Sequence, residues 1–216
     1  MVNLLSHRNS VLNHIIGEIR DSELQKDRLH FRLSLIHLGE MFAYEISKEL
    51  DYEQREVMTP LGIASVPMLK EQPVLATILR AGIPFHEGFL NIFDKADSIF
   101  VSAYRKTHKD GSFTMQVEHF SVPEMDGKIL ILCDTMIATG SSMIQTYRSL
   151  MSKGAVKHTH IAAILGSVEG IETIRKHLPM KDVTIWTGVI DEELTAQAFI
   201  VPGLGDTGDL TYGKKI

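Results

Sequence analysis

Residues 129–142 read ILILCDTMIATGSS, an apolar run that ends in an aspartate and passes through small residues into a helical pattern. The unbroken apolar run predicts a strand buried on both faces, as in a parallel sheet covered by helices. The following turn suits an anion, because a helix start presents free N–H groups and Gly140 lets the backbone approach a ligand closely. Thr139, Ser141 and Ser142 add hydroxyl donors. We therefore expect a phosphate site here, with an ordinary helix cap as the alternative.

Asp134 stands at the carboxyl end of this predicted strand, which is where open α/β sheets bind their ligands. Its carboxylate is placed to accept hydrogen bonds from sugar hydroxyls. The segment lacks the lysine of G-x-x-x-x-G-K-[ST], so an ATP-type phosphate loop is not predicted. The favoured ligand is a phosphorylated sugar.

The surrounding sequence repeats the same alternation of strand and helix. Short apolar runs that predict strands occupy residues 74–79, 98–103, 128–133, 160–165 and 183–187, and helical patterns occupy 141–152 and 168–178. Strands that alternate with helices imply right-handed crossovers and a parallel sheet with helices on its faces. The predicted fold class is therefore α/β.

Two additions to this sheet are expected. Helical patterns over residues 11–20 and 29–50, with Ser22 and Gln25 fitting a capping box, predict a helical amino-terminal extension over residues 1–50. Alternation on either side of Asp110-Gly111 predicts a β-hairpin arm. With no repeat or linker in the sequence, residues 1–216 are expected to form a single domain.

Composition excludes several classes of protein. The chain has 216 residues and a formal net charge of −5, so it has no overall positive field to attract nucleic acid. The single cysteine, Cys133, rules out a disulfide framework. No apolar stretch reaches the length of a membrane helix or a signal peptide, so we expect a cytoplasmic protein that binds no membrane.

Two arginines and a glycine-rich segment supply the remaining candidate groups. Arg80 and Arg105 follow neighbouring predicted strands, where two guanidinium groups form a plausible clamp for phosphate oxygens. Residues 203–208 match G-x-G-x-x-G, yet too few residues follow for the crossover helix of a dinucleotide site. A tight loop whose main chain contacts a flat ligand, with Asp206 and Asp209 as polar groups, is expected instead. His158 and His160 lack a third ligand, so no metal site is predicted.

In these segments the sequence resembles the uracil phosphoribosyltransferases, a branch of the type I phosphoribosyltransferase fold. The resemblance runs over nearly the whole chain, and its most specific part is IVPGLGDTGD at residues 200–209. It implies the substrates uracil and 5-phosphoribosyl 1-diphosphate (PRPP), with Mg²⁺ carried on PRPP, and the products UMP and pyrophosphate. At least a homodimer is also implied.

The resemblance also implies a role for each candidate residue. Arg80, Arg105 and Asp206 would act in catalysis, and all three would contact PRPP. The remaining PRPP-binding residues would be Asp134, Thr135, Met136, Ile137, Ala138, Thr139, Gly140, Ser141 and Ser142. The residues reading uracil would be Ile200, Gly205, Asp206 and Thr207.

Some positions depart from the family pattern. Thr135 replaces the usual proline, Ser141 replaces a glycine, and Ile83-Pro84-Phe85 follows the arginine loop where Leu-Gly-Met is usual. Phe199 replaces the common tyrosine beside the predicted base site. A transferase for another nucleobase is therefore one alternative function, and a nucleotide-sensing RNA-binding regulator on the same fold is the other.

Overall fold

A computed structural model describes residues 1–107, 113–117 and 121–214, and for residues 103–107 and 113–117 it describes the backbone alone. The first part of the chain contains β1 (Val2–Leu4), α1 (Val11–Arg20), α2 (Arg28–Ser47), β2 (Tyr52–Thr59), β3 (Gly62–Leu69), β4 (Val74–Leu79), α3 (Ile83–Ile92), β5 (Ser98–Thr107) and β6 (Phe113–Val117). The second part contains β7 (Ile129–Ile137), α4 (Ser141–Met151), β8 (His158–Ser167), α5 (Val168–His177), β9 (Val183–Asp191), β10 (Glu193–Leu194), β11 (Ile200–Val201) and α6 (Thr207–Tyr212).

A seven-stranded sheet forms the centre of the molecule, in the order β1-β9-β8-β7-β4-β5-β6. All neighbouring strands run parallel except β5 and β6, which form an antiparallel pair. The five strands predicted from apolar runs are all present and all belong to this sheet. The α/β fold class predicted from the sequence is therefore confirmed.

Helices cover both faces of the sheet and divide the core in two. On one face α1, α2 and α3 pack through residues such as Ile19, Phe31 and Phe85 against side chains of β4 and β7. On the other face α4 and α5 contribute Leu150 and Ile174 to a second cluster. Strands such as β7 and β8 are buried on both sides, which explains why their sequences are unbroken apolar runs.

The hairpin arm predicted around Asp110-Gly111 lies where β5 and β6 pair, with Thr107 opposite Phe113. Its turn, residues 108–112, falls outside the described residues. The pairing on both sides of that gap agrees with the predicted antiparallel arm.

The amino-terminal extension differs from its prediction in two respects. It begins with β1, which pairs in parallel with β9 and so joins the central sheet. The predicted capping box at Ser22 and Gln25 is wrong, because Asp27 caps α2 by accepting the N–H groups of Leu29 and His30. An aspartate directly before the helix satisfies these free donors better than a serine one turn earlier.

A second hairpin, formed by β2 and β3, was not predicted. Its strands pair with each other from Tyr52 opposite Leu69 to Thr59 opposite Gly62, and they form a sheet of their own. All eight residues of β2 are exposed. The alternating pattern that identifies a strand arises from burial of one face, and here neither face is buried.

Candidate active site

A cavity of about 550 Å³ opens at the carboxyl ends of β4 and β7. Three separate segments meet there: the loop between β4 and α3, the loop between β7 and α4, and the segment after β9. Among the predicted site residues, those that line it are Arg80, Asp134, Thr135, Met136, Ala138, Ser142, Ile200, Asp206 and Thr207. Groups from distant parts of the sequence are thus brought to one place, at the edge of the sheet where α/β proteins bind ligands.

The turn between β7 and α4 has the backbone of an anion site. Gly140 has φ +79°, and a Cβ atom there would lie 2.8 Å from the carbonyl oxygen of Gly170 in α5. The position therefore requires glycine for both conformation and space. Gly140 provides no side-chain cap for α4, so the N–H groups of its first turn after Ser141 are free to meet a ligand.

Hydroxyl groups fix the shape of this turn. The Oγ1 of Thr139 donates to the Oγ of Ser141 over 3.1 Å, and the N–H of Ser141 approaches the same Thr139 oxygen at 3.4 Å. From the side of α5, the hydroxyl of Ser167 donates to the carbonyl oxygen of Ala138. The turn is thus held by hydrogen bonds within the protein itself, and a loop held in its binding shape loses less entropy when it binds.

Asp134 lies at the floor of the cavity, at the end of β7. One carboxylate oxygen accepts the N–H of Thr135 over 2.7 Å. Burial nevertheless raises the pKa of this carboxyl from 3.8 to about 7, because removing water disfavours the charged form more than the hydrogen bonds favour it. At neutral pH the carboxyl can therefore both donate and accept, as a pair of sugar hydroxyls requires.

Some predicted residues do not present side chains to this cavity. Ile137 is buried in the second core cluster, so only its backbone is available to a ligand. Gly205 lines a neighbouring cavity of about 400 Å³, which Asp206 also borders. Thr139, Gly140 and Ser141 form the turn itself.

The arginine pair is described only in part. Arg80 is the first residue of the loop between β4 and α3; its side chain is 40% exposed, and its Nη2 lies 3.7 Å from Oδ1 of Asp209. The side chain of Arg105 lies outside the described part of the structure.

Pro84 falls in the first turn of α3, where a helix makes no use of the N–H that proline lacks.

The segment after β9 folds back over the cavity as a short hairpin of β10 and β11. Glu193 pairs with Val201 and Leu194 with Ile200, and the intervening residues Gln197, Ala198 and Phe199 line the cavity. Phe199 is 47% exposed, so its ring is free to cover a flat ligand. The Val201–Pro202 peptide is cis.

An ion pair unforeseen from the sequence anchors the glycine-rich loop. Arg20 at the end of α1 makes two hydrogen bonds, of 3.0 and 2.9 Å, to the carboxylate of Asp191 at the end of β9. Asp191 also accepts the N–H of Gly203 over 3.0 Å, and Arg20 donates to the Gly203 carbonyl oxygen. Both backbone groups of Gly203 are thereby fixed by a pair that is mostly buried.

Asp206 has two functions in the last segment. One carboxylate oxygen accepts the N–H of Asp209 over 3.0 Å and caps α6. The same side chain borders the cavity that Asp134 also lines, so it is available to a substrate. Thr207, the next residue, is fully buried at the wall of the cavity.

Sequence comparison identifies the family. A sequence model described as uracil phosphoribosyltransferase matches residues 6–214. A protein named uracil phosphoribosyltransferase from Porphyromonas gingivalis is 47% identical over 98% of both chains. The chain belongs to the uracil phosphoribosyltransferase family. A family member of the same name from the archaeon Pyrococcus furiosus is 35% identical over 94% of this chain and 86% of its own.

Solved structures place this uracil phosphoribosyltransferase family member in the expected fold. A protein from Aquifex aeolicus superimposes with a TM-score of 0.86, at 30% identity and with both chains fully covered. A hypoxanthine phosphoribosyltransferase from Staphylococcus aureus reaches a TM-score of 0.51 at 11% identity, over 87% of this chain and 84% of its own, which shows the fold alone. The predicted family and fold are both confirmed.

None of the helices in residues 1–107, 113–117 and 121–214 is long and apolar enough to cross a membrane. Nor do three or more His, Cys, Asp or Glu side chains cluster there in a way that would hold a metal ion.

Proposed function

We propose that the cavity binds uracil and Mg²⁺-PRPP and transfers the phosphoribosyl group to N1 of uracil, which yields UMP and pyrophosphate. The observation that carries this proposal is the meeting of three segments in one cavity. A phosphate turn, an arginine loop and a glycine-rich loop border the same 550 Å³ space. Family membership supplies the identity of the base and of the sugar donor.

The sugar phosphate of PRPP is assigned to the β7–α4 turn. The free N–H groups at the start of α4 and the hydroxyls of Thr139, Ser141 and Ser142 would hold the 5-phosphate. Asp134 would hold the ribose hydroxyls from the floor of the cavity, and the backbone of residues 135–138 would complete the wall. Thr135, which stands where the family usually has proline, leaves this geometry intact, since its N–H donates a hydrogen bond to the Asp134 carboxylate.

The pyrophosphate is assigned to Arg80, which lines the cavity, and to Arg105, on the strength of the family resemblance. A guanidinium group matches two phosphate oxygens at once and stays charged throughout the reaction. Mg²⁺ would be carried into the site with PRPP, as part of the substrate, and would neutralise part of its negative charge. Asp134 and Asp206 are the acidic residues among those that line the cavity.

Uracil is assigned to the loop after β11. Its edge offers a row of carbonyl and N–H groups, which backbone amides can read without any specific side chain. Gly205 has φ +96° and Gly203 has φ +57°, so the backbone makes a tight turn that residues with a Cβ atom rarely adopt. The backbone of Ile200 and of residues 205–207 would make these contacts, and Phe199 would stack on the ring.

This arrangement suits a displacement at the anomeric carbon. The bond from C1 to the pyrophosphate oxygen breaks as the bond to uracil N1 forms, and the N1 proton is released. Positive charge builds on the ribose and negative charge on the leaving group, so fixed charges and positioning lower the barrier. The turn fixes the ribose, and the arginines stabilise the charge on pyrophosphate.

The deciding experiment is to incubate the protein with PRPP, Mg²⁺ and each nucleobase separately and to follow pyrophosphate release. Of the nucleobases tested with PRPP and Mg²⁺, only uracil should support the release of pyrophosphate, with UMP as the second product. Release with a different base would favour the alternative transferase. RNA binding that weakens with salt, without UMP formation, would favour the regulator.

We further propose that the protein forms a homodimer through the β2–β3 hairpin. The hairpin exposes Met58, Leu61 and Ile63, whose surfaces are 78%, 100% and 64% accessible. An exposed two-stranded ribbon with large apolar side chains is marginal by itself in water and gains stability when a partner covers it. The cytoplasmic location expected from the sequence stays a prediction.

A further inference from the structure

Asp209 is a charged residue of the glycine-rich segment to which the proposed reaction gives no role. Its Oδ1 atom is buried and has no hydrogen-bond partner among the described residues, although its side chain as a whole is 31% exposed. A buried carboxylate oxygen without a hydrogen bond is costly to maintain. Its nearest opposite charge is the Arg80 guanidinium, at 3.7 Å.

The ion pair between Arg80 and Asp209 connects two parts of the active site that are distant in sequence. Arg80 belongs to the loop proposed to bind pyrophosphate, and Asp209 lies in α6, directly after the residues proposed to bind uracil. A Cβ atom on Gly208 would lie 3.9 Å from Nη2 of Arg80, so the guanidinium rests against the backbone of this segment. Asp209 in turn donates its N–H to Asp206.

The ion pair adds little to stability, because both side chains are partly exposed and the charged atoms are 3.7 Å apart. Its significance is geometric. A guanidinium has five donors, so Arg80 can bind pyrophosphate and still face the Asp209 carboxylate. Pyrophosphate that fixes Arg80 would thereby also fix α6 and the loop before it.

We infer that Asp209 is a positioning residue that couples the two substrate sites, so that pyrophosphate bound at Arg80 raises the affinity for uracil. The inference rests on the proposed function, because it assumes that the arginine loop binds pyrophosphate and the glycine-rich loop binds uracil. Coupling of this kind is reciprocal, so uracil should tighten pyrophosphate binding by the same factor.

The test uses the dissociation constant of uracil, measured by calorimetry with and without saturating Mg²⁺-pyrophosphate. These two ligands do not react with each other, because neither carries ribose. In the wild-type protein we expect pyrophosphate to tighten uracil binding about tenfold, a factor usual for linked sites. Asp209→Asn should bring this factor close to one, while each ligand alone still binds.

The matched control is Glu87→Gln, which removes a nearby exposed carboxylate that is not paired with Arg80. In Glu87→Gln, pyrophosphate should tighten uracil binding by the same factor as in the wild-type protein. Asp209→Glu, which retains the charge on a longer side chain, should restore part of the coupling, and thermal unfolding of each variant confirms that it is folded. An unchanged factor in Asp209→Asn, or no coupling in a wild-type protein that binds both ligands, would overturn the inference. A wild-type protein that binds neither ligand would instead overturn the proposed function.

Discussion

Asp206 contributes two properties at the level of single residues, a negative charge beside the cavity and a cap for α6. We expect Asp206→Ala to lower kcat at least tenfold, about 1.4 kcal/mol in the barrier, because the carboxylate facing PRPP is lost. It should also lower the free energy of unfolding by about 1 kcal/mol, since the cap is lost.

Asp206→Asn separates these two effects. The amide oxygen of asparagine can still accept the N–H of Asp209, so stability should stay near that of the wild type while kcat falls. Steady-state kinetics and urea unfolding measure the two quantities independently. Wild-type turnover in Asp206→Asn would remove the residue from the proposed chemistry.

Arg105 follows the same reasoning on the pyrophosphate side. Arg105→Ala is expected to lower kcat at least tenfold without unfolding the protein, since a charge that stabilises the leaving group disappears. Circular dichroism checks the fold, and a pyrophosphate-release assay gives the rate. Turnover equal to that of the wild type would contradict the assigned role.

Asp134 makes stability depend on pH. Its folded pKa, about 7, lies above the unfolded value of 3.8, so the folded protein holds the proton more tightly. The stabilising contribution of the protonated Asp134 to the free energy of unfolding is therefore fully present below about pH 4 and is lost as the pH rises through 7. Asp134→Asn, which cannot ionise, should be more stable than the wild type at pH 8, with the advantage shrinking toward pH 5.

Urea unfolding of both proteins at pH 5, 6, 7 and 8 checks this expectation. A difference in unfolding free energy between them that does not change with pH would show that Asp134 is ionised throughout. Activity is a separate readout, and Asp134→Asn should raise the KM for PRPP because the ribose contact is altered.

At the level of elements, the buried pair between α1 and β9 determines where the glycine-rich loop lies. Asp191→Ala leaves Arg20 without its partner and releases the N–H of Gly203. Removing one member of a buried ion pair typically costs about 3 kcal/mol. The KM for uracil should rise severalfold while that for PRPP changes little, because only the base loop loses its anchor.

The control for this variant is Arg175→Ala, which breaks an exposed ion pair to Glu172 within α5. It should leave both KM values and the stability nearly unchanged, as expected for a surface pair. Equal rises in both KM values for Asp191→Ala would mean that the pair supports the whole site rather than the loop.

The elements that could be predicted are those whose burial is indicated by the pattern of apolar residues in their sequences. β7, β8 and the turn at Gly140 follow from apolar runs and small residues in adjacent positions. β2 was missed because all of its residues are exposed, β3 because its residues are at most partly buried, and β1 because three residues carry too little pattern. The Arg20–Asp191 pair joins residues 171 positions apart, and no local signal in a single sequence indicates which charges meet at that distance.

For the whole molecule, the proposed homodimer makes the β2–β3 hairpin a part of the folded unit. Replacing Met58 and Ile63 with glutamate places charges on its apolar surface, which a partner would otherwise cover. The double variant should be monomeric by sedimentation equilibrium, whereas the wild type should have twice the mass. A wild-type monomer, or a dimer in both proteins, would contradict the role of the hairpin.

The pairing of β1 with β9 has a consequence for how the protein is made. Val2 lies opposite Ile185, so the start of the described chain is held by one of its last strands. While the ribosome is still producing the middle of the protein, the apolar sides of α1 and α2 have no completed sheet to cover them. Nascent chains therefore expose this apolar surface until β9 has been made, and exposed apolar surface makes incomplete chains prone to aggregate.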